Sequence, residues 1–222
     1  GGLFVNSPYA LGSGSLRISA STILGNSSGS ALTLSNSNAQ VWAGSFGFVG
    51  SNDLNLGTGG VILSASPVVT VSAGTLTVGG SISGAYGLTK AGSGLLVLSG
   101  VNVYTGTTLV SVGTLQVGAG SLSGGLSTGS VSVASGAVLA FNRSNTTTQS
   151  SDFGAVISGS GTLMQIGSGT LVLSGSNTYS GGTNLNAGGL FVNSAYALGT
   201  GSLTISDSTF LGNSQGSAVT LL

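Results

Sequence analysis

The charged side chains are the first candidates for chemistry, and the sequence contains six of them: Arg17, Asp53, Lys90, Arg143, Asp152 and Asp207. Enzymes that cleave polysaccharides use two carboxyl groups close together, one as the acid and one as the base or nucleophile. The three aspartates of this chain are widely separated in sequence and form no pair. We therefore predict that the chain is not an enzyme and assign no catalytic residue. A polysaccharide-active enzyme is kept as the least favoured alternative.

Metal, cofactor and nucleic-acid chemistry have little support in this composition. The sequence has no His, no Cys and no Glu, so zinc or haem ligation by His or Cys, a Ser-His-Asp triad and a disulfide framework are all excluded. Three scattered cations cannot form a phosphate-binding surface, so we expect no nucleic-acid partner. We expect no cofactor and no metal, and no membrane insertion by this segment, because it lacks an apolar run of about 18 residues.

Aromatic residues cluster at Trp42, Phe46 and Phe48. On a surface, such a cluster could stack against sugar rings. In a wide turn of the chain, the same rings would fill the core. We favour the core interpretation and keep a ligand surface at these three residues as the alternative.

Aliphatic residues alternate with small polar residues along many short segments, for example 15–18, 75–78 and 114–117. An alternation of period two is typical of β-strands with one buried face. Clusters of Gly, Asn and Ser separate the segments, as expected for turns. No sustained helical period is present, and 42 glycines are too many for helix interiors. The sequence therefore predicts an all-β chain.

Two levels of internal repeat organise the sequence. Residues 1–35 return at 188–222 with 27 of 35 positions identical, at an offset of 187. Residues 92–118 return at 167–193 with 15 of 27 identical, at an offset of 75. Within the shorter repeat, an Asn and a Tyr occupy equivalent positions in both copies, and we expect all four to be structural residues at corners: Asn102, Tyr104, Asn177 and Tyr179.

Strands this short cannot bury an apolar face alone, but stacked turns of a repetitive chain can. We predict a right-handed parallel β-helix (a β-solenoid) with about 18–25 residues per turn and about nine to twelve turns. The number of strands per turn stays open at two or three. We expect residues 1–222 to be a single continuous solenoid segment of a longer repetitive chain, because both ends fall inside the long repeat. The 187-residue unit would then be the axial repeat, at about 40 Å.

The most specific motif is Gly-Ser-Gly-Thr-Leu-Val-Leu-Ser-Gly-Ser-Asn-Thr-Tyr-Ser-Gly-Gly-Thr at 167–183, followed by Asn-Ala-Gly-Gly-Leu at 186–190. This motif and its copy at 92–117 resemble the autotransporter-associated β-strand repeat. The match is looser over 119–160. The resemblance implies a β-helical passenger of a large bacterial surface or secreted protein, exported by the type V route. The implied location is extracellular, with attachment to the outer membrane through other parts of the protein.

We therefore expect a structural role, as a segment of an extracellular fibre, stalk or matrix filament. Its partners would be other copies of the same repeats, joined along the solenoid axis or laterally, because near-zero net charge favours association. The second hypothesis is an adhesin passenger that binds glycans or other cells through its repeated Ser, Thr and Asn side chains. An ice-binding face ranks lower, since regular Thr-x-Thr columns are missing.

Overall fold

The computed structural model describes residues 1–126, 129–154 and 156–221, and its secondary structure there consists of short β-strands. Leu222, the last residue of the long repeat, lies outside the described residues. The strands in chain order are β1 (Gly2–Val5), β2 (Leu16–Ile18), β3 (Thr22–Asn26), β4 (Leu32–Thr33), β5 (Gln40–Trp42), β6 (Phe46–Phe48), β7 (Leu54–Asn55), β8 (Val61–Leu63), β9 (Val68–Val71), β10 (Thr75–Val78), β11 (Ile82–Ser83), β12 (Leu88–Ala91), β13 (Leu95–Leu98), β14 (Thr108–Val110), β15 (Thr114–Ser121), β16 (Val131–Val133), β17 (Val138–Arg143), β18 (Thr147–Thr148), β19 (Ile157–Gly159), β20 (Thr162–Gln165), β21 (Thr170–Leu173), β22 (Thr183–Leu185), β23 (Gly189–Val192), β24 (Leu203–Ile205) and β25 (Phe210–Gly212).

The strands form three faces, and the chain visits them in a fixed order. Face I is the sheet β1-β3-β6-β9-β12-β14-β16-β19, and face II is the sheet β4-β7-β10-β13-β15-β17-β20-β22-β24. Face III consists of the sheet β2-β5-β8-β11 and, further along the axis, the sheet β18-β21-β23-β25. The chain runs from face I to face II to face III and then starts the next turn. A complete turn therefore has three strands, whereas among the described residues the turns through β13 and β15 have no strand on face III and the last turns, from β22 to β25, have none on face I.

Neighbouring strands of each sheet pair in parallel and lie one turn apart, and the turns differ in length. A short turn leads from Leu95 to its partner Thr114, whereas the longest leads from Val131 to its partner Ile157. About ten such turns stack along the axis. The predicted all-β solenoid is confirmed.

The core is a set of columns of inward-facing side chains that stack one turn above another. On face II one column consists of six buried leucines: Leu54, Leu76, Leu96, Leu115, Leu139 and Leu163. Complete burial of one such side chain is worth about 1.5–3 kcal/mol. The strict alternation of the sequence is what makes these columns, because only every second residue of a strand faces inward.

The two copies of the 75-residue repeat lie on different faces. In the first copy, β13 and β15 belong to face II; the equivalent strands of the second copy, β21 and β23, belong to face III. From β13 the chain returns to face II at β15, β17 and β20 before it reaches β21. The repeat therefore advances the chain by three turns and one further face.

The copies of the 187-residue repeat are also rotated. The first copy opens with β1 on face I, whereas the second opens with β23 on face III. The advance is about eight and two-thirds turns. The expectation that the 187-residue unit is the axial repeat is therefore wrong, because equivalent strands of the two copies do not lie above one another. The turns differ in length, and the 187 residues of one repeat do not add up to a whole number of turns.

A column of glycines forms the corner between faces II and III. A Cβ on Gly59 would lie 2.0 Å from the carbonyl oxygen of Asn38, and a Cβ on Gly80 would lie 1.8 Å from that of Gly59. A Cβ on Gly100 would lie 2.4 Å from the carbonyl oxygen of Gly80. The backbone of each turn therefore packs directly on the turn below, and these glycine positions have no room for a side chain.

We expect the substitution Gly80→Ala to lower the free energy of unfolding by about 1–3 kcal/mol, because the new methyl group must push adjacent turns apart. Chemical denaturation followed by circular dichroism measures the change. Gly14→Ala is the control, since a Cβ at Gly14 meets no atom within 4 Å. Equal denaturation midpoints for the two variants would contradict the close-packed corner.

Candidate functional site

Asn102 lies buried at the corner between faces II and III, where its side chain binds the backbone of two neighbouring turns. Its Oδ1 accepts a hydrogen bond from the Ile82 N–H at 2.9 Å, in the turn below. Its Nδ2 donates to the carbonyls of Gly100 at 3.2 Å and Gly125 at 2.7 Å, the latter in the turn above. Buried backbone groups at a corner lose their strand partners, and this amide replaces them.

Asn177 makes the same contacts one face further on, at the corner between faces III and I. Its Oδ1 accepts from the Ile157 N–H at 2.8 Å, and its Nδ2 donates to the Ala197 carbonyl at 2.7 Å. The buried Gln149 side chain adds an amide pair, with its Nε2 donating to Asn177 Oδ1 at 2.7 Å. The repeated asparagine thus provides hydrogen bonds to the backbone at a corner in both copies, although the two corners lie between different faces.

The repeated tyrosines are fully buried, and each binds the threonine four residues later. The hydroxyl of Tyr104 lies 2.6 Å from Thr108 Oγ1, and that of Tyr179 lies 2.5 Å from Thr183 Oγ1. Each threonine begins the next strand, so the hydrogen bond joins the two sides of a corner. Burial raises the pKa of Tyr179 to about 12, although its hydrogen bond with Thr183 acts in the opposite direction. The repeated asparagines and tyrosines therefore carry structure at the corners and present no reactive group to solvent.

Lys90 is buried in the core although its neighbours in the column are aliphatic. It lies on β12 of face I, paired with Val69 in the turn below and Val110 in the turn above. A buried ammonium group needs hydrogen-bond acceptors to replace water. In this position the acceptors are backbone carbonyls.

The Lys90 amine donates to the carbonyls of Ala91 at the end of β12, of Gly92 directly after it, and of Val112 in the turn above. The distances are 2.9 Å to Ala91, 2.6 Å to Gly92 and 3.1 Å to Val112. Burial lowers the pKa of the Lys90 amine to about 8, from 10.5. In the second copy of the repeat Gln165 takes this position, and its Nε2 donates to two carbonyls of the corner that follows it.

Arg143 joins two irregular loops within the region where the repeat pattern is loosest. Its guanidinium donates to the carbonyls of Gly124 at 2.8 Å and Leu122 at 3.0 Å, and to Asn145 Oδ1 at 2.9 Å. An ion pair at 3.5 Å connects it to Asp152. These partners already engage the guanidinium, so the arginine serves to fix the loops.

The aspartates remain apart in the folded chain, and two of them cap turns. Asp53 Oδ1 accepts a hydrogen bond from the Thr75 N–H at 2.7 Å, and Asp152 Oδ2 accepts one from the Thr148 N–H at 2.7 Å. Asp207 is exposed. Among residues 1–126, 129–154 and 156–221, no three His, Cys, Asp or Glu side chains cluster as a metal site would require.

Trp42, Phe46 and Phe48 lie in the core, with 0–3% of their surface exposed. The Trp42 and Phe46 rings meet edge to face at 4.9 Å across the corner between faces III and I. The indole N–H donates to Gln40 Oε1 at 3.1 Å. The alternative of a sugar-stacking surface at these residues is therefore wrong, because the rings are inaccessible.

The buried polar side chains of Lys90, Arg143 and Gln165 were not expected from the sequence. The signal for Lys90 was the alternation itself, since it follows the inward-facing Leu88 by two residues. A lysine at an inward-facing position predicts that backbone carbonyls at the adjacent corner need a hydrogen-bond donor. Its equivalence to Gln165 under the offset of 75 gives the same indication.

Comparison with known proteins identifies the repeat. The passenger-associated-transport-repeat family matches residues 88–117 and 165–190, which overlap the two copies of the shorter repeat at 92–118 and 167–193. These matches cover 56 of the 222 residues and fall on the two segments whose sequence resembles the autotransporter-associated β-strand repeat, so that resemblance is confirmed. No solved structure matches the chain.

A curated relative matches part of the chain. It is the adhesin BmaC autotransporter of Brucella suis biovar 1 (strain 1330), 44% identical over 63 residues. The match covers 28% of this chain and 2% of the relative. In the part of the chain that the structure describes, no helix is long and apolar enough to cross a membrane.

We expect the free energy of unfolding to rise with pH between about 8 and 10. Unfolded Lys90 keeps its proton up to its usual pKa of 10.5, whereas the folded chain releases it near 8, so in this range the unfolded state binds more protons. The slope would be at most about 1.4 kcal/mol per pH unit. Urea denaturation at pH 7, 8.5 and 10 measures it.

The variant Lys90→Gln should lose this rise and stay folded, because Gln165 fills the equivalent position in the second copy. Arg17→Gln is the matched control, since it removes an exposed cation and should keep the wild-type slope. A wild-type pH dependence in Lys90→Gln would show that the buried amine does not cause the rise.

Proposed function

We propose that this chain is a rod-like stalk segment within the passenger of a bacterial surface protein of the autotransporter class. The observation that carries the proposal is the continuous parallel pairing on face II, where nine strands from β4 to β24 follow one another without interruption. In such a ladder the hydrogen bonds between turns all run along the solenoid axis. A solenoid held together in this way can act as a spacer that keeps other parts of the protein away from the cell.

The proposed location is the cell surface or the secreted fraction. It rests on the two passenger repeats and on the adhesin relative. The chain has only three basic and three acidic residues, which leaves a surface composed largely of hydroxyl, amide and glycine groups. A surface of this kind favours contact between copies, along the axis or laterally, because like charges do not oppose it.

Adhesion is the second candidate function. The Brucella relative is named as an adhesin, and this chain has exposed aromatic residues, among them Phe4, Tyr9 and Tyr196. Catalysis is not proposed, because the three aspartates each lie in a separate environment and two of them already cap turns.

Removal of whole turns from the full-length protein tests the stalk. Leu96 and Leu163 occupy one core column, three turns apart. A deletion of 96–162 therefore brings Leu163 above Leu76 in register. We expect intact cells to display the shortened passenger at the wild-type level, measured with an antibody to an epitope outside the deletion, and the passenger to resist protease.

A deletion of 96–105 is the control, because it removes only part of a turn and misaligns every strand after it. This deletion should reduce display and protease resistance. Equal loss in both deletions would contradict a modular stalk. Normal display of the 96–162 deletion with loss of cell binding would instead favour adhesion by this segment.

A further inference from the structure

A surface cleft of about 490 Å³ lies on the corner between faces III and I. One side is the ring of Tyr86, which is 45% exposed. The opposite side is formed by Thr107 and Leu109, one turn further on, and Ser66 and Thr89 complete the rim. The volume lies within the range of sites that bind small molecules.

Two of the lining residues, Gly87 and Gly106, let successive turns pack closely at this corner. A Cβ on Gly106 would lie 2.2 Å from the backbone nitrogen of Gly87, and a Cβ on Gly87 would lie 2.5 Å from the carbonyl oxygen of Thr107. These two positions, on successive turns, therefore carry no side chain. The side chains before and after them stand above a floor of bare backbone.

Packing of the fold does not require Tyr86. Its ring is half exposed and lies outside the hydrophobic core. Tyr104 and Tyr179, by contrast, recur in both copies of the repeat and are fully buried. Tyr86 thus adds an exposed aromatic ring that the core does not use.

The chemistry of the lining indicates the ligand. An exposed tyrosine ring offers an apolar face to C–H groups and a hydroxyl at its edge. The hydroxyls of Ser66, Thr89 and Thr107 can each donate and accept hydrogen bonds. Ser66 Oγ already accepts one from the Gly87 N–H at 3.3 Å, and Thr107 Oγ1 lies 3.3 Å from Ser130 Oγ, so each of these two keeps its remaining capacity for a ligand. Within the described ranges no charged side chain lines the cleft, since the neighbouring Lys90 points into the core. A ligand that matches this lining is a ring with an apolar face, several hydroxyl groups and no charge.

We propose that this cleft binds a neutral hexose unit of a glycan, with the sugar ring stacked on Tyr86. The hydroxyls of Ser66, Thr89 and Thr107 contact the hydroxyls of the sugar, and Leu109 contacts its C–H groups. This inference rests on the proposed surface location, which places the cleft where glycans occur. It differs from the stalk role, because a stalk needs no ligand.

Saturation-transfer NMR on the purified chain tests the cleft with maltotriose, lactose and mannotriose as probes. We expect at least one of these neutral sugars to receive saturation from the protein. The signal should fall at least tenfold in Tyr86→Gly and persist in Tyr86→Phe, which keeps the ring. Phe210→Ala is the control, because it removes an exposed aromatic ring elsewhere and should bind as the wild type does.

Tyr86→Gly should melt close to the wild-type temperature, because the half-exposed ring lies outside the hydrophobic core. Should that variant melt earlier, Tyr86→Ala and Leu109→Ser give the same binding test. Saturation of none of the three sugars, or equal binding by Tyr86→Gly, would overturn the proposal. A preference for sialyllactose over lactose would overturn the assignment of a neutral sugar. Loss of surface display would refute the stalk, whereas failure to bind sugars with display intact refutes only the cleft.

Discussion

The structure depends on the parallel hydrogen-bond ladder between one turn and the next. Because adjacent strands lie about 4.8 Å apart, every inward side chain touches the side chain at the same position one turn away. The core therefore consists of columns in which each side chain packs on its equivalents in the neighbouring turns. The leucine column that contains Leu76, Leu96 and Leu115 is the simplest example, since side chains of the same shape stack on one another.

The same ladder creates the main difficulty of the fold, which is the corner. Backbone groups leave the ladder there and must find other partners, and each turn of three strands has three such corners. Glycines such as Gly80 let the backbone of one turn pack on the next. Buried side chains such as Asn102 and Lys90 supply the missing hydrogen bonds. Polar residues inside this core therefore serve the backbone, which explains why they are not reactive.

Much of the fold could be predicted from the sequence, because alternation and repeats are local properties. The strand at 75–78 and the corner residue Asn102 follow from such patterns. The three faces and the rotation of the copies could not, since they depend on turn lengths that vary along the chain. Trp42 shows a second limit: a cluster of aromatic residues has the same sequence whether it faces inward or outward. The cleft at Tyr86 has no motif at all, and only the stacking of Gly87 and Gly106 reveals it.

Residues far apart in sequence lie in one column, and each turn between them adds one strand spacing to their distance. On face I, the outward-facing column runs through Val68, Thr89, Leu109, Ser132 and Ser158 to Thr178. The chain has no cysteine, so pairs of introduced cysteines can carry spin labels for pulsed electron-resonance distances. We predict about 19 Å for Val68 with Ser158 and about 24 Å for Val68 with Thr178, a difference of one strand spacing. Distances that do not increase by this step would contradict the three-faced solenoid.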